Sequence, residues 1–160
     1  MARAGAGEVV VFVGDGSYMM MNSDLYSTVL SGHKLIVIVC DNGGFAVINR
    51  LQVNQGGVPF NNLLADVRHQ HLVHVNFATH AASMGCLSEN VSTVAELESA
   101  LGRARAADRT YVIALKTEPD VWTEGGAFWE VGVPEVSERT EVLAAHRAMV
   151  EGKKQQRIGR

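Results

Sequence analysis

Cysteine, aromatic residues, long apolar runs and an excess of charge of one sign are all scarce in this chain of 160 residues. Two cysteines, Cys40 and Cys86, are too few for a disulfide framework, which favours a reducing, cytoplasmic environment. The formal net charge of −3 provides no basic surface that would attract nucleic acid or a membrane. No apolar run approaches the ~20 residues of a membrane-spanning helix. We therefore expect neither nucleic acid nor a membrane as a partner.

Apolar residues are abundant enough to build a core, since 47% of the chain is hydrophobic and 19% is charged. These proportions are ordinary for a globular protein, and the length suits one domain. We expect a single domain over residues 1–160, in which residues 117–160 form an extended segment followed by a C-terminal helix.

Two glycine-rich clusters, each directly behind a strand-like apolar run, are the most informative pattern in the sequence. Gly14-Asp15-Gly16-Ser17 follows residues 8–13, and Asp41-Asn42-Gly43-Gly44 follows residues 34–40. Runs of Val and Ile closed by glycine are typical of strands buried on both faces of a parallel sheet. Residues 23–31 have helical spacing, so the whole segment predicts a right-handed βαβ unit. We expect a three-layer α/β/α fold with a mainly parallel sheet, and both clusters at its carboxyl edge, where ligands bind.

The groups in these clusters suit a divalent cation that holds a phosphate ester. Asp15 offers a carboxylate oxygen, Asn42 an amide oxygen and Gly44 a backbone carbonyl. Mg²⁺ takes about six oxygen ligands and usually shares them between protein, phosphate and water. Glycines let the backbone approach a diphosphate closely. Two ordinary strand-ending turns are the alternative interpretation of the same residues.

The separation of the clusters resembles the bipartite motif of the thiamine diphosphate-dependent enzymes. Asp15 and Asn42 are 42 − 15 = 27 positions apart, and the family places an Asn-Asn or Asp-Asn pair at this distance behind Gly-Asp-Gly. The resemblance implies the family's C-terminal diphosphate-binding domain, with thiamine diphosphate as cofactor and Mg²⁺ held by Asp15, Asn42 and the Gly44 carbonyl. It also implies cofactor contacts along both clusters, at Gly14, Asp15, Gly16, Ser17, Asn42, Gly44 and Phe45.

Three longer segments, residues 13–18, 41–52 and 129–137, narrow the resemblance within the family. They are similar to a hydrolase branch, which implies that water cleaves a carbon–carbon bond of a small cyclic diketone during myo-inositol catabolism. A carboligase related to acetolactate synthase is the second interpretation, and a non-catalytic association module is the third. Residues 129–137, together with Asp41, where many members of the family have Asn, favour the hydrolase.

The resemblance also implies protein that these residues do not supply. In the family, the glutamate that activates the cofactor belongs to a pyrimidine-binding domain of the same or another subunit, so no catalytic residue is assigned in this chain. A further strand and helix precede Gly-Asp-Gly in the family. We therefore expect a fragment, a split subunit or a short reading frame that is inactive alone and self-associates through uncovered apolar surface. The complete protein is expected to be a homo-oligomer.

Elements further along the chain are predicted from caps and spacing. Residues 52–71 have the glycine, proline and asparagine content of a long surface loop. Asn76 is the predicted N-cap of a helix over residues 77–84, and Thr93 opens the next helix through a capping box with Glu96. The other predicted elements are a strand at residues 86–88, a strand over residues 110–116 and a helix over residues 138–153.

Two groups of side chains allow more than one interpretation. His69, His71 and His74 lie close together in sequence and could suggest zinc, but zinc sites need three or four well-placed ligands. A solvated loop cluster is favoured, with substrate contact as the functional alternative. Met19-Met20-Met21 is predicted to pack in the core, with apolar cover over the cofactor as the alternative.

Overall fold

The computed structural model describes residues 7–122 and 132–156, and the chain divides into two compact units. The first contains the residues up to Phe45 together with Arg68–Glu118. The second contains Ala46–Val67 and the residues from Pro119 onward. Residues 129–131, which belong to one of the segments that favour the hydrolase, lie outside the described part of the chain. Among the described helices, none is long and apolar enough to cross a membrane.

A parallel sheet forms the centre of the first unit. Its strands are β1 (Val10–Gly14), β2 (Ile36–Asp41), β3 (Leu87–Val91) and β4 (Tyr111–Lys116). They lie in the order β1-β2-β4-β3, and every neighbouring pair is parallel. The predicted parallel sheet is confirmed, and the two strands that carry the glycine-rich clusters are neighbours.

The described helices follow the strands in the alternation expected of an α/β fold. They are α1 (Asp15–Met21), α2 (Ser23–Ser31), α3 (Ala46–Asn54), α4 (Phe77–Ser83), α5 (Val94–Ala106) and α6 (Thr140–Gln155). Helices α3 and α6 belong to the second unit, and the others belong to the first.

Helices of the first unit pack on both faces of the sheet. Successive residues of a strand point to opposite sides, so each strand contributes side chains to both faces. On one face, Val39 of β2 shares a buried cluster with Tyr18 of α1 and Leu25 of α2. On the other face, Ile36 of β2 shares a second cluster with Ala100 of α5. This confirms the predicted α/β fold, with helices on either side of the sheet.

The first strand differs from the prediction that it is buried on both faces. Phe12 is 68% exposed, and Val10 and Val11 are also exposed. The reason is its position at the edge of the sheet, where, within the described part of the chain, it pairs with β2 alone. By contrast, β2 lies between β1 and β4, and its residues 36–39 are fully buried. Apolar composition thus predicted the strand but not its place in the sheet.

Local signals predicted two helix starts correctly. At α4, the Asn76 Oδ1 accepts a hydrogen bond from Thr79 N at 3.0 Å. At α5, the Thr93 Oγ1 accepts a hydrogen bond from Glu96 N at 3.2 Å. The Glu96 carboxylate accepts from Ser92 N at 2.7 Å, so the return bond of the capping box reaches one residue further than predicted.

Within the second unit, residues 52–67 are more ordered than the long loop predicted over residues 52–71. Helix α3 continues to Asn54, a turn of 3-10 helix spans Leu64–Asp66, and Leu63 is buried. The helix ends shortly before Gly56, whose φ of 82° is incompatible with a right-handed helix. The Gly56 carbonyl accepts a hydrogen bond from Arg139 Nε at 3.2 Å, just before α6 begins.

Candidate functional site

The two glycine-rich clusters meet where β1 and β2 end. Gly14 and Cys40 are partners in the parallel register, so Asp15 and Asp41 follow at the same level of the sheet edge. The backbone N–H of Asn42 donates a hydrogen bond to Asp15 Oδ1 at 3.3 Å. The clusters, far apart in sequence, are therefore in direct contact.

The side-chain amide of Asn42 faces two acceptors. Its NH₂ group donates hydrogen bonds to Asp15 Oδ1 at 3.0 Å and to the Gly44 carbonyl oxygen at 3.0 Å. A half-turn of the amide replaces this NH₂ group by Oδ1, which then stands at the same two distances from both oxygens. The three residues thus satisfy one another in one orientation of the amide. In the other orientation they present three converging oxygens, which is an arrangement for a cation.

A side chain at position 16 would crowd the second loop, which lies directly against this glycine. A Cβ on Gly16 would stand 2.7 Å from Phe45 Cε1 and 3.1 Å from the Gly44 carbonyl oxygen. The loop itself turns through Gly43 and Gly44, whose φ angles are 79° and 140°, a region that favours glycine. At Gly14, by contrast, a Cβ would meet nothing within 4 Å.

The carboxyl group of Asp15 is buried where the two clusters meet. Burial raises its pKa, the N–H of Asn42 opposes this by donating to the carboxylate, and the neighbouring charge of Asp41 raises the pKa further. Burial thus leaves the negative charge of Asp15 without the stabilisation that water would give it. A cation beside it would favour the ionised form.

Asp41 is held by three hydrogen bonds and does not join the three oxygens. Its Oδ1 accepts from Gly43 N at 3.2 Å, and its Oδ2 accepts from Lys116 Nζ. Its carbonyl accepts from Thr117 N at 2.9 Å. Lys116 stands opposite Asp41 in the register of β2 and β4. The sequence analysis missed Lys116, because a lysine that closes an apolar strand acquires this partner only through the strand order.

The remaining predicted cofactor residue, Ser17, is exposed in the first turn of α1. The next residue, Tyr18, is buried, and its hydroxyl hydrogen-bonds His80 Nδ1 at 2.9 Å. The prediction that Met19-Met20-Met21 packs in the core is wrong, because these side chains are 47%, 67% and 65% exposed. Helix α1 is short, and it turns Tyr18 toward the sheet and the methionines away from it.

His69, His71 and His74 are all exposed on a segment that forms neither helix nor strand. In the part of the chain that the structure describes, no group of three or more His, Cys, Asp or Glu side chains could hold a metal ion. The contact of Asp15 with Asn42 and Gly44 is of another kind, because two of its three oxygens come from an amide and a backbone carbonyl.

Comparison with known proteins gives one family over most of the chain. The model of the family described as thiamine pyrophosphate enzyme, C-terminal TPP binding domain, matches residues 1–115.

Two similar proteins are both named 3D-(3,5/4)-trihydroxycyclohexane-1,2-dione hydrolase. The one from Halalkalibacterium halodurans is 36% identical over 143 residues, which cover 87% of this chain and 22% of that protein. The one from Bacillus licheniformis is 35% identical over 152 residues, which cover 92% and 24%. The chain thus spans less than a quarter of the length of these relatives.

Solved structures share the fold. The thiamine diphosphate-dependent 4-hydroxybenzoylformate decarboxylase of Rhodococcus jostii RHA1 aligns with 72% of this chain and 20% of its own, at a TM-score of 0.59 and 24% identity. The benzoylformate decarboxylase from Polynucleobacter necessarius aligns over the same shares, at a TM-score of 0.62 and 21% identity. These similarities establish the architecture alone.

Proposed function

The chain belongs to the thiamine pyrophosphate enzymes, as their C-terminal TPP-binding domain, and from this premise we propose that it anchors thiamine diphosphate through Mg²⁺ in a ring-opening hydrolase. The substrate is 3D-(3,5/4)-trihydroxycyclohexane-1,2-dione, an intermediate of myo-inositol degradation. The metal part of the proposal is supported by the Asp15 and Gly44 oxygens that converge on the Asn42 amide. The substrate part is carried by the shared name of the relatives at 35–36% identity.

The spacing of the three oxygens fits Mg²⁺. Adjacent ligands of an octahedron with metal–oxygen distances of ~2.0–2.1 Å lie about 2.8–3.0 Å apart. After the half-turn of the amide, the Asn42 oxygen stands 3.0 Å from the Asp15 and Gly44 oxygens, which supports all three as neighbours on one cation. The hard carboxylate, amide and carbonyl oxygens are the donors that Mg²⁺ prefers.

Charge explains why the cation is needed. A diphosphate brought beside the buried Asp15 would be repelled by its carboxylate, unless a cation stood between them. Burial also raises the pKa of Asp15, because it removes water that would stabilise the carboxylate. Mg²⁺ would remove both costs, because it neutralises the carboxylate and the phosphate oxygens together.

The residues around the three oxygens would hold the diphosphate itself. The exposed hydroxyl of Ser17 and the backbone N–H groups after Gly14 are donors at the start of α1. The close approach of Gly16 to Gly44 and Phe45 keeps the two loops together, so that the donors and the metal oxygens stay in fixed relation.

Bound thiamine diphosphate would supply a nucleophilic carbon and a thiazolium ring that takes up an electron pair while a carbon–carbon bond breaks. The part of this chain is to hold the diphosphate so that this carbon is fixed in place. Overall, water would cleave the ring bond between the two carbonyl carbons: one of these carbons gains OH and becomes a carboxylic acid, and the other gains H and becomes an aldehyde. We also propose that a pyrimidine-binding domain, from the same or another subunit, carries the activating glutamate. The complete enzyme would be a cytoplasmic homo-oligomer.

Calorimetric titration with thiamine diphosphate tests the cofactor part. We expect binding to be at least about tenfold tighter, or ~1.4 kcal/mol, with Mg²⁺ than with a chelator, and thiamine without phosphates to bind poorly in both. Asp15→Ala should abolish the advantage of Mg²⁺, whereas His71→Ala, the control at an exposed histidine, should retain it. Equal binding with and without Mg²⁺ would refute the assignment.

The substrate part is tested by mixing the chain with a polypeptide that carries the pyrimidine-binding domain. The mixture should consume the cyclic dione with release of one open-chain acid, and it should leave pyruvate unchanged. Formation of acetolactate from pyruvate would instead support the carboligase interpretation.

A further inference from the structure

We propose that Lys116 is a positioning residue for the cation site: through Asp41, it fixes the loop that presents Asn42 and Gly44 to Asp15. The inference rests on the proposed function, because it concerns how the chain holds a divalent cation. It assigns a role to an ion pair at the end of β2 and β4 that the cation and the cofactor need not touch.

Asp41 is the point at which the strand becomes the loop. Its Oδ1 accepts from the N–H of Gly43, two residues ahead, at 3.2 Å, which is the bond of an Asx turn. The turn starts the reversal through Gly43 and Gly44, both at positive φ. The backbone carbonyl of Asp41 is fixed to Thr117 N at 2.9 Å. The orientation of the Asp41 side chain therefore sets the path of the loop.

Lys116 keeps that side chain in place. The Asp41 side chain is 10% exposed, and a buried carboxylate without a partner would turn toward water. Lys116, whose side chain is 73% exposed, occupies Oδ2 and leaves Oδ1 for Gly43. Without the ammonium group, the Asp41 carboxylate would lack its ion-pair partner and would turn toward water. The Asx-turn bond to Gly43 would then break.

A positioning role and a direct electrostatic effect of Lys116 predict opposite changes in the affinity for the cation. A lysine beside a cation site repels the cation through space, so charge alone predicts that Lys116→Met strengthens cation binding. Positioning predicts that the same change weakens it, because the loop that carries Asn42 and Gly44 relaxes.

The first measurement is amide hydrogen exchange at Gly43 by NMR, which needs no metal. Lys116→Met should accelerate this exchange about 2–5-fold, the range that a partly exposed ion pair of ~0.4–1 kcal/mol supports. Lys116→Arg keeps a charged donor and should restore the slow exchange. Lys154→Met removes the same charge from an exposed ion pair with Glu151 and should leave Gly43 unchanged. Unchanged exchange in Lys116→Met would overturn the proposal.

The second measurement is the affinity for Mn²⁺ by electron paramagnetic resonance, in the presence of thiamine diphosphate. Lys116→Met should lower the affinity about 2–5-fold in a chain that remains folded by circular dichroism, with rescue by Lys116→Arg and no effect of Lys154→Met. An increased affinity in Lys116→Met would overturn the proposal in favour of electrostatics. Asp15→Ala tests the cation site separately from the role of Lys116. If this variant binds Mn²⁺ as tightly as the parent chain, the proposed cation site is wrong. The exchange at Gly43 would still decide whether Lys116 holds the loop.

Discussion

Replacing Gly16 by alanine would perturb the contact between the two glycine-rich clusters. The new Cβ would stand 2.7 Å from Phe45 Cε1, 2.8 Å from Phe45 Cδ1 and 3.1 Å from the Gly44 carbonyl oxygen. The exposed phenyl ring can turn aside, but the carbonyl can yield only by a shift of the loop. Overpacking typically costs ~1–3 kcal/mol, and alanine regains up to ~1 kcal/mol over glycine in a helix. We expect a net loss of ~1 kcal/mol in the free energy of unfolding.

Gly14→Ala is the matched control, because it adds the same methyl group in the same motif. Nothing lies within 4 Å of its Cβ, and its φ of −73° is open to alanine, so its stability should change by less than ~0.5 kcal/mol. Thermal unfolding followed by circular dichroism should give a melting temperature ~4–8 °C lower for Gly16→Ala in a folding unit of roughly 100 residues. Equal shifts in the two variants would refute the close approach as the reason for this glycine.

Three further changes test contacts elsewhere in the two units. Thr110→Val should lower the free energy of unfolding by ~1–3 kcal/mol in urea denaturation, because it removes the buried hydroxyl that accepts from Leu35 N at 3.1 Å; an unchanged midpoint would contradict this. The Arg103 hydrogen bonds hold the pKa of Glu89 below its usual range, so this pair stabilises the fold above the unfolded pKa of the carboxyl and loses its effect as the pH falls. Glu89→Gln should thus cost ~0.2–1 kcal/mol at neutral pH and converge with the parent chain in acid, and a difference that is constant with pH would argue against the ion pair. Gly56→Ala should destabilise the second unit by ~2–3 kcal/mol, because its φ is 82° and its Cβ would lie 2.4 Å from the backbone of α6; amide exchange in α6 should accelerate, and unaltered protection would disprove the contact.

The sheet and the meeting of the two clusters were predictable because they depend on local patterns and on one general rule. Apolar runs closed by glycine predicted β1 and β2, and the βαβ crossover makes these strands parallel, which places their carboxyl ends at one edge. Direct contact between Asp15 and Asn42 follows once the two strands are neighbours, as the structure has them. The caps at Asn76 and Thr93 were predictable for the same reason, since each bond spans only three residues.

Features that depend on tertiary neighbours were not predictable. The exposure of Phe12 reflects an edge position, which the strand's own residues do not encode. The exposure of Met20 reflects the direction in which the short helix α1 faces the sheet. The pairing of Asp41 with Lys116 needs β4 to lie beside β2, although β3 comes between them in the sequence. Each of these depends on tertiary packing, which the local sequence pattern does not contain.

The central claim is that one divalent cation joins this chain to a diphosphate through Asp15, Asn42 and Gly44. Electron–nuclear double resonance of Mn²⁺, bound together with thiamine diphosphate, tests it most directly, because the spectrum reports which nuclei lie beside the metal. The account predicts ³¹P coupling from the diphosphate and ¹³C coupling from a labelled Asp carboxyl, both of which disappear in Asp15→Ala. Phosphorus coupling that persists unchanged in Asp15→Ala, without carboxyl coupling in the parent chain, would contradict the account.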